Sequence, residues 1–387
     1  MEKIIVIGTE KESEAFLYKS RGKYEVVLFV DKKPRQNAFR GVSVIALNSI
    51  VSMRKDFHYK IIIATKEDEY IEIARELTKY GLEEFEDFFY SEALGKKLAF
   101  YWGNCHIGEL AEYMKQLPSF EEVYWIYPLT NVHLYDQYYL TKSFFEQVSL
   151  FVYQEISSMT NGMLYSSEGI CKRIPKQAVR IKIPNLYQKG FAFFPQSFCK
   201  KIEIMRDCEY EFVINMDNHD KVITKKIQMS FSPEQVALQI ENDAVFEREK
   251  IIQDFEQMLK KIEEVDLGCD VKIAKWIKEH YREEMIFIDP GHISKVVFVE
   301  YVSQILKILR ADMYEAEKKN IQKIISCGSS FLLMPVYGCV RDALQLNWVD
   351  EANRSIKKGS WCLQGESLDI LEYVKQYSYI CVENFQI

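Results

Sequence analysis

A thiol and an imidazole stand side by side where an apolar segment passes into a helical pattern. The sequence Gly103-Asn104-Cys105-His106 follows the apolar run 98–102, and apolar residues recur at helical spacing after it. This pattern predicts a strand, a short turn and a helix whose unpaired N–H groups favour a thiolate at Cys105. It is also compatible with a buried structural cysteine, and with a His106 that only packs or caps the helix.

A carboxylate and a second imidazole occur at a spacing that suits a hydrogen bond. In Asp289-Pro290-Gly291-His292, the two middle residues favour a tight turn. A hydrogen bond from the imidazole to Asp289 would fix the tautomer of His292 and leave Nε2 to act as a general base. The same four residues are also an ordinary turn sequence before a helix.

Two carboxamide side chains follow other predicted strands. Gln154 ends the apolar run 149–153, and Asn185 follows the run 180–183. Because the carboxyl ends of parallel strands share one edge of a sheet, we expect both amides to lie near Cys105. The set predicts an acyl-transfer site in which the amides face a developing oxyanion. Amides that only satisfy loop backbone groups are the alternative.

The elements that would carry these residues form two predicted α/β domains. Residues 1–92 alternate Val- and Ile-rich strands with helical patterns, which predicts a half-Rossmann parallel sheet. Gly8 is the only glycine left of a phosphate-binding turn, so binding of NAD or another nucleotide is not expected there, although Asp31 occupies the position of a ribose-binding acid.

The second predicted domain covers residues 97–387. It begins with further strand–helix alternation and includes a charged helical segment at about 232–285. A short strand, Met285–Ile288, is predicted to lead into Asp289, and a final strand is predicted near Tyr377 to Val382.

The composition excludes several classes of protein. Of the 387 residues, 48% are hydrophobic, and a net charge of −7 argues against a nucleic-acid partner. Nine cysteines without metal-ligand spacing predict reduced thiols, no metal site and a cytoplasmic location. No secretory signal is recognised, and no apolar run reaches the roughly 18–20 residues of a membrane helix. We therefore expect a protein that is not transmembrane, and a homo-oligomer is compatible with the sequence.

Residues 1–92 resemble the half-Rossmann domain that precedes bacterial sugar acyltransferases and nucleotide-sugar enzymes. The resemblance rests on the opening strand and on the segments 29–33, 41–44 and 61–64.

The second domain resembles the WcbI-like domain, a family associated with acetyl transfer in capsular-polysaccharide biosynthesis. Its Gly-Asn-Cys-Gln signature is similar to residues 103–106, with His106 in place of Gln. Further matches follow in the family's order over roughly residues 97–350. They are Tyr153-Gln154, the segments 183–187 and 190–196, the stretch from Met285 to His292, and Pro335-Val336-Tyr337. Gly291 before His292, Ile293 after it, and Gly338 depart from the family pattern.

That family is similar to the SGNH hydrolases, which implies a flavodoxin-like three-layer α/β/α fold. The resemblance implies Cys105, Asp289 and His292 as a catalytic set. His106, which departs from the family's Gln, would either give Cys105 a closer base or indicate a different acceptor. It implies acetyl-CoA or CoA as the donor and a capsular or exopolysaccharide, or a sugar precursor, as the acceptor. Asn104, Gln154 and Asn185 would be oxyanion or substrate contacts. The candidates for binding the CoA phosphates come from the densest basic run and are Lys172, Arg173 and Arg180.

Two other functions stay open at this point. An esterase or thioesterase would use the same catalytic set with water as the acceptor. A non-catalytic scaffold in a glycan-biosynthesis pathway would retain the fold without the chemistry.

Overall fold

The computed structural model describes residues 1–53, 59–130, 140–198, 219–326, 334–349, 356–357, 367–368, 371–375 and 377. They form two compact units, Met1–Ile181 and Lys182–Ile387. The architecture is mixed α/β with parallel sheets, which confirms the predicted fold class.

The first sheet of the first unit has six strands in the order β3-β4-β2-β1-β5-β6. The assigned pairs are parallel except for β3 with β4. The strands are β1 (Glu2–Ile7), β2 (Tyr24–Asp31), β3 (Ala38–Phe39), β4 (Val42–Ala46), β5 (Lys60–Ile63) and β6 (Phe88–Tyr90). The helices that connect them are α1 (Lys11–Lys19), α2 (Leu47–Met53) and α3 (Glu67–Lys79).

The glycine after β1 is required by close packing of the backbone. Gly8 has φ +118°, and a Cβ atom there would lie 2.5 Å from the carbonyl oxygen of Ala64. Thr9 donates a hydrogen bond of 2.5 Å to Asp31. Gly8 therefore has a role in packing, and the acid at the ribose-binding position has a partner within the protein.

The second sheet of the chain has four strands in the order β10-β9-β7-β8. Strand β7 (Lys97–Trp102) is parallel to both β8 (Tyr124–Ile126) and β9 (Val148–Tyr153), and β10 spans Val179–Lys182. All four lie where the sequence predicts strands. The helices of this part are α4 (Cys105–Lys115), α5 (Pro118–Glu121), α6 (Lys142–Gln147), α7 (Ser158–Tyr165) and α8 (Ser167–Arg173).

One hydrophobic core extends through both sheets of the first unit. It contains Ile5 and Ile63 from the first sheet and Phe100 and Phe151 from the second. Each such side chain contributes about 1.5–3 kcal/mol on full burial. The core is therefore continuous across residues 92–97, where the sequence predicts a domain boundary.

The second unit is mainly helical. Its helices are α9 (Lys221–Gln228), α10 (Pro233–Asn242), α11 (Arg248–Leu267), α12 (Ala274–His280), α13 (Lys295–Leu309), α14 (Ala311–Ser326) and α15 (Gly338–Leu344). Two short antiparallel ladders pair β11 (Ser197–Phe198) with β12 (His219–Asp220), and β13 (Ile356–Lys357) with β14 (Ser367–Leu368). The helical character predicted for 232–285 is present as α10, α11 and α12.

The prediction of a strand at Met285–Ile288 is wrong. This segment forms only an isolated antiparallel bridge between Phe287 and Ile293, across the turn that contains Asp289. The final predicted strand lies outside the described residues, apart from Tyr377. In the described part of the chain, no helix is both long enough and apolar enough to span a bilayer.

Candidate active site

The turn after β7 presents the thiol at the first residue of a capped helix. Asn104 precedes α4, and its Oδ1 accepts a hydrogen bond of 3.0 Å from the backbone N–H of His106. Cys105 is exposed, whereas His106 is only 2% exposed. The cap fixes the start of the helix at Cys105. Of the two adjacent candidates, Cys105 is therefore the one that a substrate in solution can reach.

Gln154 lies next to this turn. It is fully buried, and its Oε1 accepts a hydrogen bond of 3.0 Å from the backbone N–H of Asn104. Gly103 permits this contact, because a Cβ atom there would lie 2.6 Å from the same oxygen. Gln154 Nε2 is buried without a hydrogen-bond partner among the described residues. A buried donor without a partner carries a free-energy cost, so this amide is a candidate hydrogen-bond donor to a bound ligand.

Asp289 and His292 form the hydrogen bond that their spacing predicts. The imidazole Nδ1 lies 2.8 Å from Asp289 Oδ2 and 3.1 Å from Oδ1. Asp289 is 1% exposed, and its Oδ1 also accepts the backbone N–H groups of Gly291 and His292 at 2.6 and 2.8 Å. A carboxylate at Nδ1 favours the tautomer that carries its proton there. Nε2 is then the acceptor, as a general base requires.

A loop of the second unit packs against this turn. Gly190 donates a backbone hydrogen bond of 3.0 Å to Pro290, and a Cβ atom at Gly190 would lie 2.8 Å from the carbonyl oxygen of Asp289. The ring of Tyr187 is edge-on to His292, with 6.5 Å between centroids. Asn185 Oδ1 accepts the backbone N–H of Tyr187 at 3.0 Å, which orders the loop.

Sequence reasoning did not identify Tyr187 as a neighbour of His292. A Cβ atom on Gly291 would lie 3.2 Å from the Tyr187 ring, so the ring explains why glycine precedes the histidine in this chain. The signal in the sequence was the departure from the family pattern at Gly291 itself.

The late motifs of the chain belong to a buried polar network. Tyr337 donates a hydrogen bond of 2.7 Å to Asp220, and Gln196 donates one of 2.7 Å to the carbonyl oxygen of Pro335. Asp220 also caps α9 through the N–H groups of Val222 and Ile223. Burial raises the pKa of Asp220 to about 6, although its hydrogen bonds lower it. Sequence reasoning missed Asp220, because no local pattern marks it as buried.

The three basic residues predicted for CoA phosphates have partners within the protein. Lys172 pairs with Glu168 at 2.5 Å, and the Arg173 guanidinium lies 3.8 Å from the centre of the Phe145 ring. Arg180 donates to the carbonyl oxygens of Cys171 and Pro175. Their role in binding phosphate stays a prediction.

The structure thus groups the predicted residues within each unit. Asn104, Cys105, His106 and Gln154 meet in the first unit. Asp289 and His292 bond in the second, and Tyr187 connects them to the loop of Asn185. Among the described residues, no group of three or more His, Cys, Asp or Glu side chains is arranged to hold a metal ion.

A comparison with known families identifies the chain. The family model of the polysaccharide biosynthesis enzyme WcbI matches residues 98–312, more than half of the sequence. The chain belongs to the WcbI family. The family predicted from the motifs is confirmed, and the protein is a member of a family of polysaccharide biosynthesis enzymes. No curated protein matches the chain by sequence.

One solved structure of WcbI shares the fold. It is described as a novel polysaccharide biosynthesis enzyme, in a native form without a disulfide bond between CoA and one of its cysteines. The two chains are 14% identical and superpose with a TM-score of 0.52, over 75% of this chain and 89% of that one. At this identity the likeness shows the fold alone. The similarity to SGNH hydrolases stays a prediction.

Proposed function

We propose that this member of the WcbI family is an acyltransferase. It transfers an acetyl group from acetyl-CoA to a hydroxyl group of a saccharide. Family membership supports a role in polysaccharide biosynthesis. The solved WcbI structure, a native form without a disulfide bond between CoA and a cysteine, supports CoA as the donor. The exposed Cys105 and the Asp289–His292 pair supply a nucleophile and a base.

The observation that carries the proposal is the exposed Cys105 next to Asn104, whose backbone N–H donates to the buried Gln154, a side chain with an unpartnered Nε2. In the first step, the Cys105 thiolate attacks the thioester carbonyl and a new C–S bond forms. Gln154 Nε2 donates to the oxygen that becomes negatively charged. The bond to CoA then breaks, and the CoA thiolate takes up the proton that Cys105 lost.

In the second step, a saccharide hydroxyl attacks the acylated Cys105. His292 Nε2 accepts the hydroxyl proton, and Asp289 stabilises the imidazolium that forms. The C–S bond to Cys105 breaks, the ester of the saccharide forms, and the proton on His292 passes to the Cys105 thiolate, which regenerates the thiol. That Cys105 and His292 serve one reaction is part of the proposal.

Intact mass measurement after incubation with acetyl-CoA tests this function. We expect the full-length protein to gain one acetyl group, and Cys105→Ala to gain none. The matched control is Cys171→Ala, which removes another thiol that is partly accessible to solvent. This variant should be acetylated as the parent protein is. His292→Gln should remain acetylated when saccharides are added, because its second step is slowed.

Two results would contradict the proposal. One is an unmodified protein whose melting temperature does not change with millimolar CoA or acetyl-CoA. The other is continuous release of CoA without any saccharide, which would identify water as the acceptor and the protein as a hydrolase.

A further inference from the structure

A groove in the second unit has no role in the acyl-transfer steps. It has a volume of about 730 Å³ and lies among residues of α11, of the end of α12 and of α15. Its apolar lining includes Phe255, Leu259 and Leu344, each less than 9% exposed. The half-buried ring of Tyr281 packs on Phe255 with 4.3 Å between centroids. The volume is within the usual range for small-molecule sites, roughly 300–1,000 Å³.

Four basic side chains line the same groove. They are Arg248, Lys260, Lys278 and Arg282. In the described part of the chain, Arg248, Lys260 and Lys278 make no ion pair. Other lysines on the same two helices do pair, Lys250 with Asp254 and Lys275 with Glu279. The three groove cations are therefore available to an anionic ligand.

Carboxylates complete the lining and restrict the ligand class. Glu279, which pairs with Lys275, lines the groove. Glu256 and Glu263 line it too, and Lys260 lies between these two on α11. Neither acid pairs with that lysine, although helical spacing would permit it. A simple anion would be repelled by these acids, and a neutral sugar would not require the cations. A nucleoside diphosphate matches both the cations and the carboxylates of the groove. Its phosphates can bind Lys and Arg, and its ribose hydroxyls can donate hydrogen bonds to the carboxylates. Its base can stack on Tyr281.

The apolar side of the groove connects with the turn that holds the proposed base. Phe255 packs on Phe193 at 5.6 Å, and Phe193 packs on Phe287 at 5.8 Å between ring centroids. Phe287 lies two residues before Asp289, and Phe193 follows the loop of Gly190 that bonds to Pro290. The groove thus shares a buried aromatic wall with the Asp289–His292 turn.

We propose that this groove binds a nucleoside diphosphate group. The assignment of this group to the carrier of the saccharide rests on the proposed function. The binding of a nucleoside diphosphate in the groove does not. The same chemical group occurs in sugar nucleotides and in CoA, so the experiment has to separate the two sources.

Isothermal titration of the full-length protein with UDP, ADP and inorganic pyrophosphate tests the groove. We expect a nucleoside diphosphate to bind more tightly than pyrophosphate, because only the former can stack. The double variant Lys260→Ala/Lys278→Ala should weaken binding at least about tenfold, as expected for the loss of charge-assisted hydrogen bonds. The matched control is Lys261→Ala, an exposed position next to Lys260 on α11, which should leave the affinity unchanged.

Competition then identifies the source. If CoA does not displace bound UDP, the groove serves a sugar nucleotide; if CoA displaces it and is weakened by the same double variant, the groove serves the donor. Cys105→Ala should retain nucleotide binding while it loses acetylation, so failure of the acyl-transfer proposal would leave this one standing. The inference is overturned if UDP and ADP fail to bind at millimolar concentration, if pyrophosphate binds equally well, or if the double variant binds as the parent does.

Discussion

The orientation of the His292 imidazole depends on one buried carboxylate. Asp289→Asn would keep the size of the side chain but place an amide donor opposite Nδ1. The imidazole would then carry its proton on Nε2, where it cannot accept one from a hydroxyl. We expect the turnover number for acyl transfer to fall by about 10²–10⁴-fold. The measurement is steady-state release of CoA in the presence of the acceptor.

A surface histidine provides the control for that change. His280 stacks on Trp276 and lies on α12, outside the proposed chemistry. His280→Gln should leave the turnover number unchanged. Full activity of Asp289→Asn would remove His292 from its proposed role as a base.

Gly103 is the residue on which the Gln154 contact depends. In Gly103→Ala, the new methyl group would lie 2.6 Å from Gln154 Oε1 and 2.5 Å from a side-chain carbon of Ile107. We expect a loss of about 1–3 kcal/mol in the free energy of unfolding, measured by chemical denaturation. Gly268→Ala is the control, because no atom lies closer than 3.8 Å to the added carbon. Equal stability of the two variants would show that the backbone relaxes at Gly103.

At the scale of elements, the start of α4 depends on the cap from Asn104. Asn104→Ala removes the acceptor for the His106 N–H and should reduce the free energy of unfolding by about 1 kcal/mol. Asn104→Asp retains an acceptor and should recover most of that loss. Thermal denaturation of the three proteins measures both effects, and an Asn104→Ala protein as stable as the parent would contradict the assignment of the cap.

The elements that could be predicted from the sequence are those with long patterns. Strand β7 is apolar from Leu98 to Trp102 and is followed by helical periodicity, so the change from strand to helix after Trp102 can be predicted. Met285–Ile288 is only four residues long, and its partner Ile293 belongs to the same turn, so a local bridge forms in place of a sheet strand. Short apolar runs do not carry enough pattern to distinguish these outcomes.

Contacts between distant segments could not be predicted from the sequence. Tyr187 reaches His292, and Asp220 binds Tyr337, across more than a hundred residues in each case. The types of these residues permit such contacts, but only packing of the helices of the second unit decides them. The predicted Asp289–His292 bond needed no such information, because both partners lie on one turn.

At the scale of the whole molecule, a buried acid contributes to how stability responds to pH. Glu84 is 6% exposed, and its Oε2 accepts a hydrogen bond of 3.1 Å from Tyr127. Burial raises the pKa of Glu84 from 4.5 to about 8, and the hydrogen bond lowers it in part. Its neighbours Glu83, Glu86 and Asp87 are charged, a pattern typical of a solvated segment. The core that covers both sheets of the first unit overrides that pattern.

The sign of the effect follows from which state binds the proton. Between pH 4.5 and about 8, the unfolded chain loses the Glu84 proton while the folded protein retains it, so stability falls as the pH rises. The loss amounts to at most about 5 kcal/mol above pH 8. The side chain in Glu84→Gln cannot ionise. We therefore expect the free energy of unfolding of this variant to rise relative to that of the parent from pH 5 to pH 9. Urea denaturation at several pH values measures the difference. Glu86→Gln, an exposed neighbour, should follow the parent at every pH. Parallel curves for Glu84→Gln and the parent would show that Glu84 ionises in the folded protein as it does in the unfolded chain.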